Sequence, residues 1–222
     1  MYLLLGRKRI KNMNNEKRSS SRKEKLLETL IQLEWQAFDK VSNIGGRAGC
    51  QDDWDTFSIM RKSQYLTWTE EMLESYIGDF EAANAVGWNL ITEKYGRMMK
   101  STDPEGYARI KDQLPVIPEE KQKIIEGIVA IQVGWMEACA EKYPKAALQT
   151  RSIHTAEDTP YLTSYETYLR GELSTYSDRT LEQYGRFIVG FFREGKNLAE
   201  AIIGNSARLY GYGSLEDLER RL

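Results

Sequence analysis

Three ionisable side chains sit where the hydrophobic pattern calls for apolar ones. Glu34 shares a helical stripe with Leu27, Leu30, Ile31, Phe38 and Val41, and Arg61 falls between Phe57 and Gln64/Tyr65 in a stripe that begins at Trp54. Glu172 holds the place in the stretch 161–173 that Gln64 holds in the stretch 54–65. A lone buried ion is costly, so each of these charges needs a partner. One guanidinium with two carboxylates can close on itself as a structural network. It can equally receive a polar small molecule that carries a carboxylate, phosphate or amine. Glu34, Arg61, Gln64 and Glu172 are therefore the candidate ligand-binding residues.

Other constellations are read more plainly. Asp52, Asp53 and Asp55 could join Glu34 around a hard cation, but clustered acids ahead of a helix serve as caps, so no metal is expected. Glu166 and Arg170 have the spacing of a surface ion pair. His154, the one histidine, has no Ser, Cys or second His matched to it as a catalytic base would. The glycine-rich run Asn43 to Gly49 lacks a preceding strand and a Gly-Lys-Ser/Thr ending, so it reads as a loop and not a phosphate cradle. Cys50 and Cys139 have neither metal nor redox spacing and read as reduced thiols. No cofactor is implied.

The elements that must position these residues come as a repeat. Across 67–90, seven of 24 positions are identical to those 108 residues later, where chance would give roughly one or two. The shared positions include Leu73/Leu181, Tyr76/Tyr184, Gly87/Gly195 and Asn89/Asn197. Thr67 with Glu70, and Thr175 with Asp178, look like capping boxes. An offset of 100 aligns Ile31-Gln32-Leu33-Glu34-Trp35 with Ile131-Gln132-Val133-Gly134-Trp135. Each half then carries five helices in the same order, with Leu114-Pro115-Val116-Ile117-Pro118 as the break. The expectation is an all-α protein of two pseudo-equivalent five-helix lobes, 24–113 and 119–222, preceded by a basic, mobile leader at 1–23. Gly127, Ala130, Gly134 and Ala138 form a small-residue ridge expected to meet a helix of the other lobe.

Charge separates the leader from the body. Residues 1–25 hold nine Lys/Arg against Glu16 and Glu24, while the whole chain sums to −2. The leader lacks interleaved aromatics and joins an acidic body, so nucleic acid is not the expected partner. No apolar run is long enough for a membrane span, and a soluble, cytoplasmic protein is expected.

Several strings, in order, carry a resemblance: Gly46-Arg47-Ala48-Gly49-Cys50-Gln51-Asp52-Asp53-Trp54, Glu93-Lys94-Tyr95, Glu166-Thr167-Tyr168-Leu169-Arg170-Gly171-Glu172-Leu173 and Gly195-Lys196-Asn197-Leu198-Ala199-Glu200. Over about residues 24 to 219 the chain resembles a bacterial family, the domain of unknown function numbered 4125. The resemblance implies a mostly helical domain that some members join to a nucleotidyltransferase-like domain, and it implies no activity. Gly134 departs from the larger residue expected there, and the leader falls outside the resemblance, as a start upstream of Met13 would explain. The function expected is a non-catalytic module binding a partner protein, such as a nucleotidyltransferase-like domain, or a small polar ligand between its lobes. The alternative is an enzyme acting on a small polar metabolite with Glu34, Arg61 and Glu172 in the inter-lobe cleft. A third reading, nucleic-acid binding, would rest on the leader.

Overall fold

A computed structural model describes residues 2–42 and 46–222, with side chains from residue 21 onward. Asn43, Ile44 and Gly45, part of the glycine-rich run, lie outside the described residues, as do the side chains of the leader up to residue 20. Eleven α-helices follow one another: α1 (Tyr2–Asp39), α2 (Trp54–Tyr65), α3 (Glu70–Ala85), α4 (Leu90–Thr102), α5 (Pro104–Ile110), α6 (Glu119–Lys142), α7 (Pro144–Ala147), α8 (Tyr165–Ser174), α9 (Asp178–Arg193), α10 (Leu198–Leu209) and α11 (Leu215–Arg221). The described residues contain no strand, only an isolated bridge between Thr159 and Leu162. No helix among them is long and apolar enough to cross a membrane.

Local chemistry sets the helix limits. The Asn89 side chain accepts from Ile91 N and Thr92 N and starts α4, and Asn197 does the same for α10 through Glu200 N. Each asparagine also donates to a neighbouring helix, to Ala37 O at 2.8 Å and to Trp135 O at 2.7 Å respectively. Gly87 and Gly195 end α3 and α9 at φ of 71° and 64°, a conformation that glycine adopts without steric cost. The caps of α3 and α9 are Thr69 and Ser177, not Thr67 and Thr175. Thr67 and Thr175 instead turn their hydroxyls back onto Gln64 O and Glu172 O, closing the preceding helices. Ser164 caps α8, so that helix begins at Tyr165 and not at Tyr161.

The two halves share one core. α2 of the first half packs on α10 of the second, α4 packs on α8, and α3 meets α9. Between them the rings of Trp68, Tyr76, Tyr176 and Tyr184 are all at least 98% buried and stand in mutual contact, Tyr76 and Tyr176 only 4.7 Å apart. A smaller cluster, Met136, Cys139, Tyr143, Ala146, Ala199 and Leu215, lies beneath α7 and α11.

Two expectations about α6 are corrected. Its buried residues Ile125, Ile128, Val129, Gln132, Met136 and Cys139 follow the buried Leu27, Leu30, Ile31, Glu34, Phe38 and Val41 of α1 by 98 positions, not 100. Glu34 thus corresponds in burial to Gln132; the shared Ile-Gln-x-x-Trp letters misled because they fall two residues out of phase with the buried face. As a result the small-residue ridge Gly127, Ala130, Gly134 and Ala138 faces solvent, with no described atom within 4 Å of a Cβ placed at Gly127 or Gly134.

Candidate functional site: a closed charged network between the halves

Four helices deliver charge to one buried point. α2 presents Arg61, Gln64 and Tyr65 on one face, at i, i+3 and i+4. α1 contributes Glu34 from its apolar stripe, and α8 contributes Glu172 one turn from Tyr168 on one side and Tyr176 on the other. The fourth member, Lys94 of α4, is one that sequence reasoning missed. Exposure is 1% for Glu34, 6% for Arg61, 2% for Glu172 and 3% for Lys94, so none of these charges is hydrated by bulk water.

The four residues singled out from the sequence are together, and the geometry closes. Arg61 grips Glu34 with a fork, Nε to Oε2 at 2.6 Å and Nη2 to Oε1 at 2.7 Å. Nη1 also donates to Gln64 Oε1 at 2.9 Å and Glu172 Oε2 at 3.2 Å, while Nη2 reaches Glu172 Oε1 at 3.2 Å and Tyr65 Oη at 2.6 Å. All three guanidinium nitrogens are engaged. Glu172 further accepts from Gln64 Nε2 at 2.9 Å, Tyr176 Oη at 3.1 Å and Lys94 Nζ at 3.3 Å. Two cations face two carboxylates, so the buried network is neutral as a whole.

Electrostatics follow from that balance. Burial alone would raise the Glu172 carboxyl, but Arg61 and Lys94 outweigh it and hold it well below the usual carboxylate range. Burial alone would lower Arg61, and Glu172 and Glu34 reverse this and raise it well above its ordinary value. For Lys94, Tyr168 and Glu172 likewise overcome desolvation and hold the ammonium charged. Burial pushes the phenols of Tyr65, Tyr76, Tyr176 and Tyr184 up, so each keeps its proton.

A pH dependence follows. Because Glu172 titrates lower in the folded chain than in the unfolded one, its stabilisation is complete above the unfolded value of about 4.3 and is lost as pH falls from there through the folded value. Melting temperature should decline steeply below about pH 4. Glu172→Gln, less stable at neutral pH, should show a flatter acid limb in the same pH series.

The remaining sequence candidates lie elsewhere. Asp53 caps α2 by accepting from Thr56 N, and Asp52 pairs with Arg47 at 2.8 Å. His154 is about half exposed and 3.2 Å from Glu137. Glu166 and Arg170 form their ion pair at 2.6 Å, and Arg170 extends it to Glu126 at 3.0 Å. Cys139 is buried, which pushes its thiol up to about 11, while Cys50 is exposed. Lys94 could have been found by the stripe argument that found Arg61, since it stands one turn from Leu90 and from Met98 on the buried face of α4.

A helical protein whose two halves are tied by a neutral, buried charge network is the class that fold and site define. The chain belongs to the family described as "Protein of unknown function (DUF4125)", whose model matches residues 24–220. No curated protein and no solved structure matches it.

Proposed function

We propose that the protein is a non-catalytic helical module, built as two fused copies of one five-helix unit with the short α7 added in the second, that binds a partner protein on the solvent-facing side of α6. The observation that carries this reading is an apolar strip standing in water. Gly127, Ala130, Gly134 and Ala138 are exposed on α6, and nothing lies within 4 Å of the place a Cβ would take at Gly127 or Gly134. Ile124 beside them is 52% exposed, and the neighbouring α9 adds Val189 at 42% and Phe192 at 63%.

The duplication provides an internal control. At the corresponding positions of the first half, 98 residues earlier on α1 and 108 earlier on α3, stand Leu26, Thr29, Gln32, Gln36, Lys40, Glu81 and Asn84, all polar but Leu26. One face of the fold is polar in one copy and stripped to small and apolar residues in the other. Small side chains let another helix approach closely, and a contiguous exposed apolar strip is the signature of an interaction surface. The partner we favour is a nucleotidyltransferase-like domain, which the family resemblance implies is joined to such modules. The enzyme reading, and a small ligand held by Glu34, Arg61, Gln64 and Glu172, find less support, because those groups spend their hydrogen bonds on one another.

The test is Gly134→Arg. Replacing an exposed helical glycine by a better helix former should leave stability unchanged or raise it by about 0.5–1 kcal/mol. In calorimetric titration with a nucleotidyltransferase-like domain the parent should bind and the variant should lose at least about tenfold in affinity, as expected when a charge enters an apolar interface core. Equal affinity for parent and variant would exclude this face, and no binding by the parent would exclude this partner.

A further inference from the structure

Around Tyr168 of α8, a second group of side chains gathers hydrogen-bond donors. Tyr168 lies between two cations: the buried Lys94 Nζ is 4.1 Å from its ring centroid, and the guanidinium carbon of the exposed Arg151 is 4.8 Å from the same centroid. Lys94 also stands 5.7 Å from the ring centroid of the half-buried Tyr95. The hydrogen bonding is one-sided. Tyr168 Oη accepts from Lys94 Nζ at 2.8 Å, which leaves its own proton to give. Among the described residues Tyr95 Oη has no hydrogen-bond partner, and Arg151 makes one long bond, from Nη1 to Thr163 O at 3.3 Å.

The charge around these donors is equally one-sided. Lys94 is already balanced by Glu172 on its inner side, and Arg151 has no carboxylate partner among the described residues. Burial raises the Tyr95 phenol above its ordinary value, so it keeps a proton to donate. Two phenolic protons and a guanidinium fork, beside a fixed ammonium, are all groups that donate to an anion.

We propose that Arg151, Tyr168 and Tyr95, with Lys94 behind them, form a binding site for the phosphate group of a small molecule. A tetrahedral oxyanion has enough acceptor oxygens to engage the guanidinium and both hydroxyls together. Arg151 supplies the charge, the hydroxyls supply direction, and Lys94 fixes the Tyr168 hydroxyl as a donor by occupying its lone pair.

The probe is inorganic phosphate, titrated into the full chain at constant ionic strength against chloride and acetate and followed by amide NMR. Saturable shifts should concentrate around residues 95, 151 and 168 with phosphate and be absent with chloride. Arg151→Ala, which removes an exposed side chain and leaves the core untouched, should weaken phosphate binding at least about tenfold, the scale of a lost hydrogen bond to a charged group. Tyr168→Phe should weaken it as well; if that variant fails to fold, Arg151→Ala still decides. Shifts scattered over the surface, or unchanged in Arg151→Ala, would overturn the site. Acetate binding as tightly as phosphate would overturn the tetrahedral assignment.

Discussion

Neither half should fold alone: residues 24–113 and residues 119–222, expressed separately, should each lack a cooperative thermal transition, and mixing them should restore one. The reason is the exchange of partners. The first half's α2 rests on the second half's α10, and α4 rests on α8, so an isolated half uncovers two helix faces at once. It also exposes one side of the ring cluster of Trp68, Tyr76, Tyr176 and Tyr184. Burying a large apolar side chain is worth about 1.5–3 kcal/mol, so losing cover from only a few cancels most of the roughly 5–15 kcal/mol that stabilises a typical domain. Far-UV circular dichroism melts of each half and of the equimolar mixture provide the check. A sharp melt from residues 24–113 alone would make the halves independent domains.

Arg61→Leu should destabilise the intact chain by about 3–5 kcal/mol, the range for removing one partner of a buried ion pair. The loss has a definite origin, since Glu34 would lose its forked donor at 1% exposure, and Glu172 would retain only Lys94 as a cation. At about 2–4 °C per kcal/mol for a chain of this size, the melting temperature should fall by at least about 6 °C. The opposite result, a variant as stable as the parent or more so, would mark Arg61 as strained for the sake of a ligand. The choice of leucine is informative, because Leu169 stands 108 positions on in the sequence and is 93% buried there.

The network was readable in advance because charge on an apolar stripe breaks a pattern, and a break can be seen without coordinates. That argument found Glu34, Arg61 and Glu172, and it applied equally to Lys94, which sits on the same kind of stripe as Leu90, Ile91 and Met98. The flanking Glu93 makes the segment look like a solvated face. In fact Glu93 is also buried and holds Trp88 Nε1 at 2.6 Å and Arg97 Nη2 at 2.6 Å. A helix start is simple where a single side chain sets it, as Asn89, Asp103 and Ser214 do by accepting from the first turn of α4, α5 and α11. Helix starts were misplaced where two hydroxyls compete two residues apart, as Thr67 and Thr69 do. The register of α6 against α1 was not legible, since identical letters and identical burial disagree by two positions, and only packing decides between them.

The most direct test of the central claim, that Arg61 and Glu172 tie the two halves through a closed structural network, is a double-mutant cycle. Stabilities are measured by denaturant unfolding for the parent, Arg61→Leu, Glu172→Leu and the pair. The cycle should return a coupling free energy near the upper end of the roughly 0.5–3 kcal/mol seen for residues in contact, with the double variant more stable than the sum of the single losses implies. Losses that add to within about 0.5 kcal/mol would show the two side chains to be energetically independent and would contradict the account.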